Sequence, residues 1–297
     1  MIAIKIADTE FAHLFCTMPS ILSITLYPIK SCAGIALEAA TLNETGLSFE
    51  GVHDREWMLV DHQGLFLTQR EFPRMALIRP ELRSDGLYIH APNMPVLSLN
   101  PQEDSSTASV TIWEESFSAL DCGQAMADWF SKALDTPCRL VRSTAQTQRF
   151  ANQKWTGDRL VATRFSDGYP ILLTATASLD DLNQRLEKQG RSGLPMNRFR
   201  PNIVLAGIEA FEEDYAANFE VGSKIKLRPV KPCPRCPMPS IDQSTGEFGP
   251  DPMDILQTYR ANPLVDGGIT FGMNVIVEQG VGQLLRVGDV MDMNIAF

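Results

Sequence analysis

Short apolar stretches separated by turn residues dominate the first half of the chain. Residues 21–27 are rich in β-branched side chains and end at Pro28, as expected at the end of a strand. Further stretches pair across short turns, as hairpins do: residues 56–60 with 65–68, 76–82 with 87–90, and 110–113 with 117–120. This spacing predicts a mainly β protein with a few helices, built from antiparallel barrels or sandwiches.

Helical periodicity appears in only a few places. In residues 123–134, apolar side chains recur at helical spacing, and we expect them to be core: Met126, Trp129, Phe130 and Ala133. A second helix is expected to start at Ser178 and to stop at Gly190. Residues 253–260 predict a short third helix, and the acidic run at residues 211–214 predicts a solvated turn.

A polar stretch with little pattern, residues 143–159, is typical of a linker or a long loop. We therefore expect two domains, residues 19–142 and residues 143–297, preceded by an N-terminal extension over residues 1–18. Charged residues interrupt the leading apolar run, which argues against a secretion signal. Met18 suggests an over-called start as an alternative to a loosely packed extension.

Composition narrows the possible classes of function. The 297 residues are 44% hydrophobic and 21% charged, as in ordinary globular proteins. A net charge of −10 makes non-specific nucleic-acid binding unfavourable. No stretch reaches the length of a membrane span, and six scattered cysteines do not form a disulfide scaffold. We expect no nucleic acid, no membrane span and a cytoplasmic location.

Residues 232–249, PCPRCPMPSIDQSTGEFG, combine two cysteines with four prolines. Because proline fixes φ and removes a backbone donor, we expect a stiff loop here rather than a helix or a central strand. Cys233 and Cys236 are separated by two residues, and Arg235 beside them favours an ionised thiolate.

This C-x-x-C spacing allows several interpretations. A zinc knuckle normally needs a second pair of ligands, but no second C-x-x-C exists and the four histidines lie far upstream. A thioredoxin-like pair needs a strand that enters a helix, which the prolines disfavour. One thiolate could instead bind something that other parts of the chain also hold. The last interpretation is a proline-rich surface loop with incidental cysteines.

The motif P-C-x-R-C, followed by D-x-x-T-G at residues 242–246, resembles the signature loop of the MOSC family, named after the C-terminal domain of molybdenum-cofactor sulfurase. The closer likeness is to the amidoxime-reducing subgroup, whose members carry an N-terminal β-barrel domain before the MOSC domain. R-F-R-P-N at residues 198–202 and F-G-x-N at residues 271–274 follow the family pattern too. The resemblance covers residues 21–293 and implies two β-barrel-like domains.

The resemblance also implies a molybdenum cofactor, Mo-molybdopterin, with Cys236 as the metal ligand. Lys30, Ser31 and Arg55 would contact the phosphate-bearing pterin, since a guanidinium binds phosphate bidentately and a lysine and a hydroxyl complete the cradle. Taken singly, cations at strand ends are usually solvated, and Arg70 is the weaker candidate. The other expected cofactor contacts are Gly168, Tyr169, Arg200, Asn202, Arg235 and Asn274. A family-level association with pyridoxal phosphate binding is assigned to no residue.

By the same resemblance, the expected activity is reduction of small N-hydroxylated compounds such as amidoximes and hydroxylamines. Cys236 and Asp167 are the expected catalytic residues, Asp167 steering substrate or relaying protons. Because no cysteine follows Cys236, electrons are expected from a separate protein, a flavoprotein or a ferredoxin or cytochrome type. The alternatives are a sulfur-carrier or cofactor-handling protein with a persulfide on Cys236, and a plain β-barrel binding module. Cys233 is expected to be structural rather than a resolving thiol.

Overall fold

The computed structural model describes residues 18–99 and 106–296. The expectation of an extension or an over-called start concerns residues 1–17, which lie outside this description. Within the described ranges the α-helices are α1 (Gln124–Leu134), α2 (Gln153–Thr156), α3 (Thr176–Glu187) and α4 (Met253–Gln257). Within these ranges, none of the helices combines the length and the hydrophobicity that a membrane span requires.

The strands of the described residues are numbered in chain order. They are β1 (Ser20–Leu26), β2 (Ile35–Leu37), β3 (Ala39–Asn43), β4 (Gly46–Phe49), β5 (Val52–His53), β6 (Trp57–Val60), β7 (Arg79–Arg83), β8 (Gly86–His90), β9 (Leu97–Ser98), β10 (Thr107–Ile112), β11 (Glu115–Asp121), β12 (Arg139–Arg142), β13 (Ile171–Ala175), β14 (Ile203–Ala206), β15 (Ala216–Val221), β16 (Ile225–Pro234), β17 (Ala261–Asn262), β18 (Gly268–Gln279), β19 (Leu284–Arg286) and β20 (Asp292–Ile295).

The largest sheet mixes strands from both ends of the sequence. Its order is β2-β1-β14-β13-β18-β16-β15-β20, with β17 paired to β18. Its pairs are antiparallel except β13 with β14. Strands β1 and β2, from the first half of the chain, are therefore built into the same sheet as strands of its second half.

Three smaller sheets complete the described architecture, in the orders β10-β11-β12-β6, β19-β3-β4-β5 and β7-β8-β9. The expected fold class, mainly β with a few helices, is confirmed. Over residues 18–99 and 106–296, the strand orders are open and do not close into barrels.

One hydrophobic cluster packs side chains from the whole length of the described chain. Leu26, Trp57, Phe130, Leu173 and Phe219 are all buried in it. A separate cluster packs α3 and α4 against two stacked rings, Phe199 and Phe271, whose centroids lie 3.9 Å apart. The main core includes side chains from both sides of residue 142, and the domain boundary expected there remains a prediction.

Several predicted elements are confirmed, and others are displaced. Strand β1, the hairpin β10–β11 and helix α1 with its four expected core side chains occur where predicted. Residues 65–68 do not form a strand. The Phe66 amide donates to the Thr111 carbonyl on β10, whereas the Leu67 amide donates to the Leu59 carbonyl on β6, so the segment does not pair continuously with either strand. A 3₁₀ helix, Pro73–Leu77, replaces the start of the predicted strand at residues 76–82.

The expectation of a loop for the whole proline-rich motif is wrong at its start. Strand β16 continues through Cys233 to Pro234 and pairs with β18 through several shifts of register. On the other side of β16, strand β15 pairs with residues 225–227 alone. The rest of β16, which contains the prolines, therefore has one edge without a β15 partner, and that edge tolerates residues that lack a backbone donor.

The acidic turn at residues 211–214 is not solvated, contrary to expectation. The Glu213 carboxylate is fully buried and accepts hydrogen bonds from Ser178 Oγ at 2.7 and 2.9 Å and from the Ala175 amide at 3.3 Å. Helix α3 begins at Thr176, two residues before the expected start, and its N-cap Ala175 has no side-chain acceptor. Glu213 therefore supplies, from a distant segment, the acceptor that this helix start lacks.

The burial of Glu213 predicts that the folding stability of the protein depends on pH. Burial raises its pKa to about 7 from an ordinary value of 4.5, although the Ser178 hydrogen bonds oppose the shift. Since the folded-state pKa is the higher one, the stabilisation is complete below pH 4.5 and is lost as the pH rises through about 7. We expect the free energy of unfolding to fall by about 3 kcal/mol over this window relative to Glu213→Gln.

Urea denaturation at a series of pH values measures this difference. Glu209→Gln, which changes an exposed glutamate just before the acidic turn, should keep the wild-type pH dependence. Identical pH dependence in wild type and Glu213→Gln would contradict the assignment.

Candidate active site

One cleft of about 480 Å³ collects side chains from distant parts of the chain. All the residues that the sequence analysis assigned to catalysis or cofactor binding line it: Lys30, Ser31, Arg55, Asp167, Gly168, Tyr169, Arg200, Asn202, Arg235, Cys236 and Asn274. The weaker candidate Arg70 lines it as well. The structure therefore brings these residues together, and the role of each remains a prediction.

A row of residues across the central sheet contributes to the cleft lining. Leu172 on β13 pairs with Asn274 on β18, which pairs with Lys231 on β16. Asn202, just before β14, donates its backbone N–H to the Leu172 carbonyl at 2.8 Å. Because three of these residues sit on neighbouring strands and Asn202 is hydrogen-bonded to one of them, this part of the lining has the rigidity of the sheet.

Asn202 and Asp54 hold the guanidinium of Arg55. Asn202 Nδ2 donates to Asp54 Oδ1 at 2.9 Å, and Arg55 Nη1 donates both to Asn202 Oδ1 at 3.0 Å and to Asp54 Oδ2. Burial raises the pKa of Asp54, and the Arg55 charge and the hydrogen bonds from Tyr27 and Asn202 oppose that rise. Arg55 is thus positioned by a buried network before any ligand binds.

A second cation shares the ring of Tyr27 with Arg55. The guanidinium carbons of Arg55 and Arg200 each lie 4.4 Å from the centroid of this ring. Arg200 Nη2 donates to the Cys32 carbonyl at 2.6 Å, and burial lowers the pKa of Arg200. Burying a cation without a carboxylate partner is unfavourable, so this arrangement favours an anionic ligand.

The cleft as a whole has an excess of positive charge. Lys30 and Arg55 form ion pairs with carboxylates. Within residues 18–99 and 106–296, no carboxylate pairs with the other four cations of the lining: Arg70, Arg200, Lys231 and Arg235. This charge distribution suits a ligand that carries phosphate.

Three of the expected cofactor contacts adopt the left-handed backbone conformation. The φ angles are 65° for Ser31, 48° for Arg55 and 56° for Arg200. This region costs a side-chain-bearing residue of order 1–3 kcal/mol, and such residues concentrate at ligand sites. No sequence pattern marked this strain.

Asp167 and Lys30 form an ion pair across the cleft wall. Lys30 is 4% exposed, and burial lowers its pKa while Asp167 opposes the shift. Burial alone would raise the pKa of Asp167, but the charge and hydrogen bond of Lys30, with Arg55 and Arg70, bring it to about 2. The Asp167 side chain is nevertheless 70% exposed, because it faces the open cleft.

The two cysteines of the motif are free thiols on the same cleft. Arg235 Nη1 donates to Cys233 Sγ at 3.1 Å, and Arg235 Nη2 donates to the Phe199 carbonyl at 2.8 Å. Cys236 follows the end of β16 and precedes a three-residue 3₁₀ helix, Met238–Ser240, instead of the α-helix of a thioredoxin-like site. No cluster of three His, Cys, Asp or Glu side chains in the described part of the chain could hold zinc.

The donor set of the cleft fits the expected cofactor. Ser166 Oγ, the Tyr169 hydroxyl and Arg235 Nε are buried without a hydrogen-bond partner among the described residues, and all three side chains line the cleft. Such atoms normally have partners, so a ligand rich in acceptors would satisfy them. Together with the unpaired cations and the Cys236 thiol, they match a phosphate-bearing pterin that holds a soft metal.

Sequence reasoning missed several residues of the lining: Phe66, Thr68, Trp113, Ser166, Leu172, Phe199, Lys231, Cys233, Pro234 and Met238. Lys231 could have been found, since it immediately precedes the proline-rich motif. Phe66 and Trp113 carry no local signal, because only the packing of the hairpin β10–β11 brings them to the cleft.

Comparison with known proteins decides the family. The model of the MOSC N-terminal beta barrel domain matches residues 18–137, and that of the MOSC domain matches residues 161–292. The chain belongs to the MOSC family. The expected resemblance is thereby confirmed.

The relatives of this MOSC protein include amidoxime reducing components and a molybdenum cofactor sulfurase. It is 33% identical to mitochondrial amidoxime reducing component 2 of Homo sapiens, over 91% of this chain and 82% of that relative. Mitochondrial amidoxime-reducing component 1 of Mus musculus is 30% identical over 81% of this chain and 71% of the relative. Molybdenum cofactor sulfurase of Homo sapiens is 31% identical over 76% of this chain but only 27% of the relative. The crystal structure of YiiM from Geobacillus stearothermophilus matches 42% of this chain and 54% of that chain, with 16% identity and a TM-score of 0.29.

The Asn202 network predicts a large effect of a small substitution. Asn202→Asp removes both side-chain donors and places a second carboxylate against Asp54. We expect the free energy of unfolding to fall by about 3 kcal/mol, because buried acceptors lose their donors and like charges meet. Urea denaturation measures the loss. Asn294→Asp, an exposed asparagine hydrogen-bonded to Asn218, is the matched control and should change little. Equal losses in the two variants would contradict the structural role given to Asn202.

Proposed function

We propose that this protein is a molybdenum-cofactor-dependent oxidoreductase that reduces N-hydroxylated compounds such as amidoximes and hydroxylamines. The observation that carries the proposal is one cleft that holds a free Cys236 thiol together with four cations that pair with no carboxylate among the described residues. Similarity to amidoxime reducing components over most of the chain supports the same reaction class.

The residues of the cleft divide into those that bind the metal and those that bind the pterin. The Cys236 thiolate would ligate molybdenum. Lys30, Ser31, Arg55 and Arg200 would bind the phosphate by charge-assisted hydrogen bonds. The remaining donors would meet the polar edge of the pterin: Tyr169, Asn202, Arg235, Asn274 and the backbone at Gly168. When bound, the cofactor supplies the two-electron chemistry that cleaves the N–O bond.

The overall reaction balances with two electrons and two protons. An amidoxime, R–C(=NOH)NH₂, takes up both and yields the amidine R–C(=NH)NH₂ and water. A separate donor protein, a flavoprotein or a ferredoxin or cytochrome type, would provide the electrons.

We also propose that the protein works in the cytoplasm.

Replacing each cysteine in turn distinguishes the proposed molybdenum ligand, Cys236, from its neighbour Cys233. Cys236→Ser should remove bound molybdenum and abolish reduction, because a neutral hydroxyl is a poor ligand for a soft metal. Cys233→Ser should retain most of both, since Cys233 is assigned a packing role beside Arg235. Elemental analysis of protein co-expressed with cofactor biosynthesis, beside amidoxime reduction assays, measures these effects. Retention of metal and activity in both variants would refute the ligand assignment.

Asp167 is better suited to charge pairing than to proton relay. With a pKa of about 2 it is ionised near neutral pH and is a poor proton donor there. We therefore propose that Asp167 keeps Lys30 protonated, since burial lowers the pKa of that lysine.

This role predicts how Asp167→Asn behaves. We expect kcat/KM to fall about tenfold as Lys30 loses its charged partner, and to fall further as the pH rises from about 5 to 8, because the buried Lys30 then gives up its proton more readily. Steady-state kinetics across that range measures both quantities. Asp158→Asn, an exposed aspartate outside the cleft, should match the wild type. Loss of a titrating limb in Asp167→Asn would instead support proton relay.

The second candidate function is sulfur transfer or cofactor handling. The similarity to molybdenum cofactor sulfurase and the free thiol of Cys236 favour it. In that case Cys236 would carry a persulfide, and the mass of the protein would increase by one sulfur atom without bound molybdenum. Molybdenum near one atom per chain, lost in Cys236→Ser, would decide for the oxidoreductase.

A further inference from the structure

Trp113 occupies an unusual position for a large aromatic residue. Ile112 pairs with Glu115 across the hairpin β10–β11, so Trp113 and Glu114 form a two-residue turn. The φ angle of Trp113 is 56°, and its side chain lies half exposed. A positive φ at the first position of such a turn normally belongs to glycine, because other side chains are strained there.

The indole ring is held in place by two side chains of the cleft. The Phe66 ring meets it edge to face, with centroids 5.1 Å apart and planes at 67°. The Arg70 guanidinium carbon lies 4.7 Å from the Trp113 ring centroid. All three side chains line the cleft, and we call them the aromatic shelf.

The aromatic shelf is continuous with the charged wall of the site. Lys30 Nζ lies 5.3 Å from the centroid of the Phe66 ring, and Lys30 pairs with Asp167. An apolar, planar surface therefore adjoins the polar groups of the site. A ligand with a flat apolar end and a polar end could contact both at once.

Folding stability alone does not account for this tryptophan. About half of the side chain stays exposed, and the strained turn offsets much of what burial of the other half contributes. Strained residues that persist at a cleft are most simply explained by ligand contact. An indole presents a rigid face and a rigid edge that another aromatic ring can contact. An aliphatic chain gains less from such a surface than an aromatic ring does.

We propose that the aromatic shelf, Phe66, Arg70 and Trp113, is a substrate subsite that binds the planar aromatic group of an N-hydroxylated substrate. It selects aromatic over small aliphatic amidoximes. The inference rests on the proposed reductase function for the identity of its ligand.

The variant Trp113→Gly tests the subsite without endangering the fold, because glycine suits the turn. We expect it to weaken binding of benzamidoxime and of its product benzamidine about tenfold, while binding of acetamidoxime stays unchanged. Isothermal titration calorimetry on the cofactor-loaded protein without a reductant gives these affinities. Trp113→Phe keeps a ring and should restore most of the aromatic preference.

Stability separates a ligand-binding tryptophan from a structural one. Trp113→Gly should change the free energy of unfolding little, since relief of the strain offsets the lost contacts with Phe66 and Arg70. Phe248→Ala removes an exposed aromatic side chain outside the cleft and should leave all affinities at their wild-type values. A marked loss of stability in Trp113→Gly without a change in aromatic selectivity would overturn the proposal.

Binding and turnover distinguish failure of the subsite from failure of the proposed function. Selective loss of benzamidoxime binding in Trp113→Gly supports the shelf even if the wild type, given a chemical reductant, reduces no amidoxime. Reduction with equal kcat/KM for benzamidoxime and acetamidoxime, unchanged in Trp113→Gly, would refute the shelf and leave the reductase function standing.

Discussion

The buried ion pair of Asp54 and Arg55 is the interaction on which the site depends. It lies in the first half of the chain, yet Asn202 from the second half completes its hydrogen bonds. A buried carboxylate beside a guanidinium is favourable only when its remaining oxygens find donors. That requirement joins the two halves of the sequence at the cleft and fixes the direction in which Arg55 points.

The hydrogen-bond partners of the other arginines explain why the cleft keeps an excess of positive charge. Arg200 and Arg235 are anchored by backbone carbonyls, at Cys32 and at Phe199, instead of by carboxylates. A carbonyl orients a guanidinium but leaves its charge uncompensated, so the cleft retains its attraction for anions. Preorganised cations of this kind gain more from a phosphate than flexible surface cations would, because little reorganisation remains at binding.

Strain and rigidity are concentrated at the same place. Ser31, Arg55, Arg200 and Trp113 have positive φ, and all four line the cleft. The residues around them sit on a continuous core and on a sheet that draws strands from both ends of the chain. Such a scaffold can maintain local conformations that an isolated loop would relax. The mixed sheet is therefore what allows the site to be built from strained loops.

Features that depend on local spacing and on residue chemistry could be predicted from the amino-acid sequence. These include the mainly β class, the buried face of α1, and, through the family motifs, the residues that meet in the cleft. Tertiary structure decided what depends on distant partners. Glu213 is buried because Ser178, near the start of α3, donates a hydrogen bond to its carboxylate. Trp113 faces the cleft because Phe66 and Arg70 pack against its ring. Alternation of apolar and polar residues records which side of an element is covered, but not which distant segment covers it.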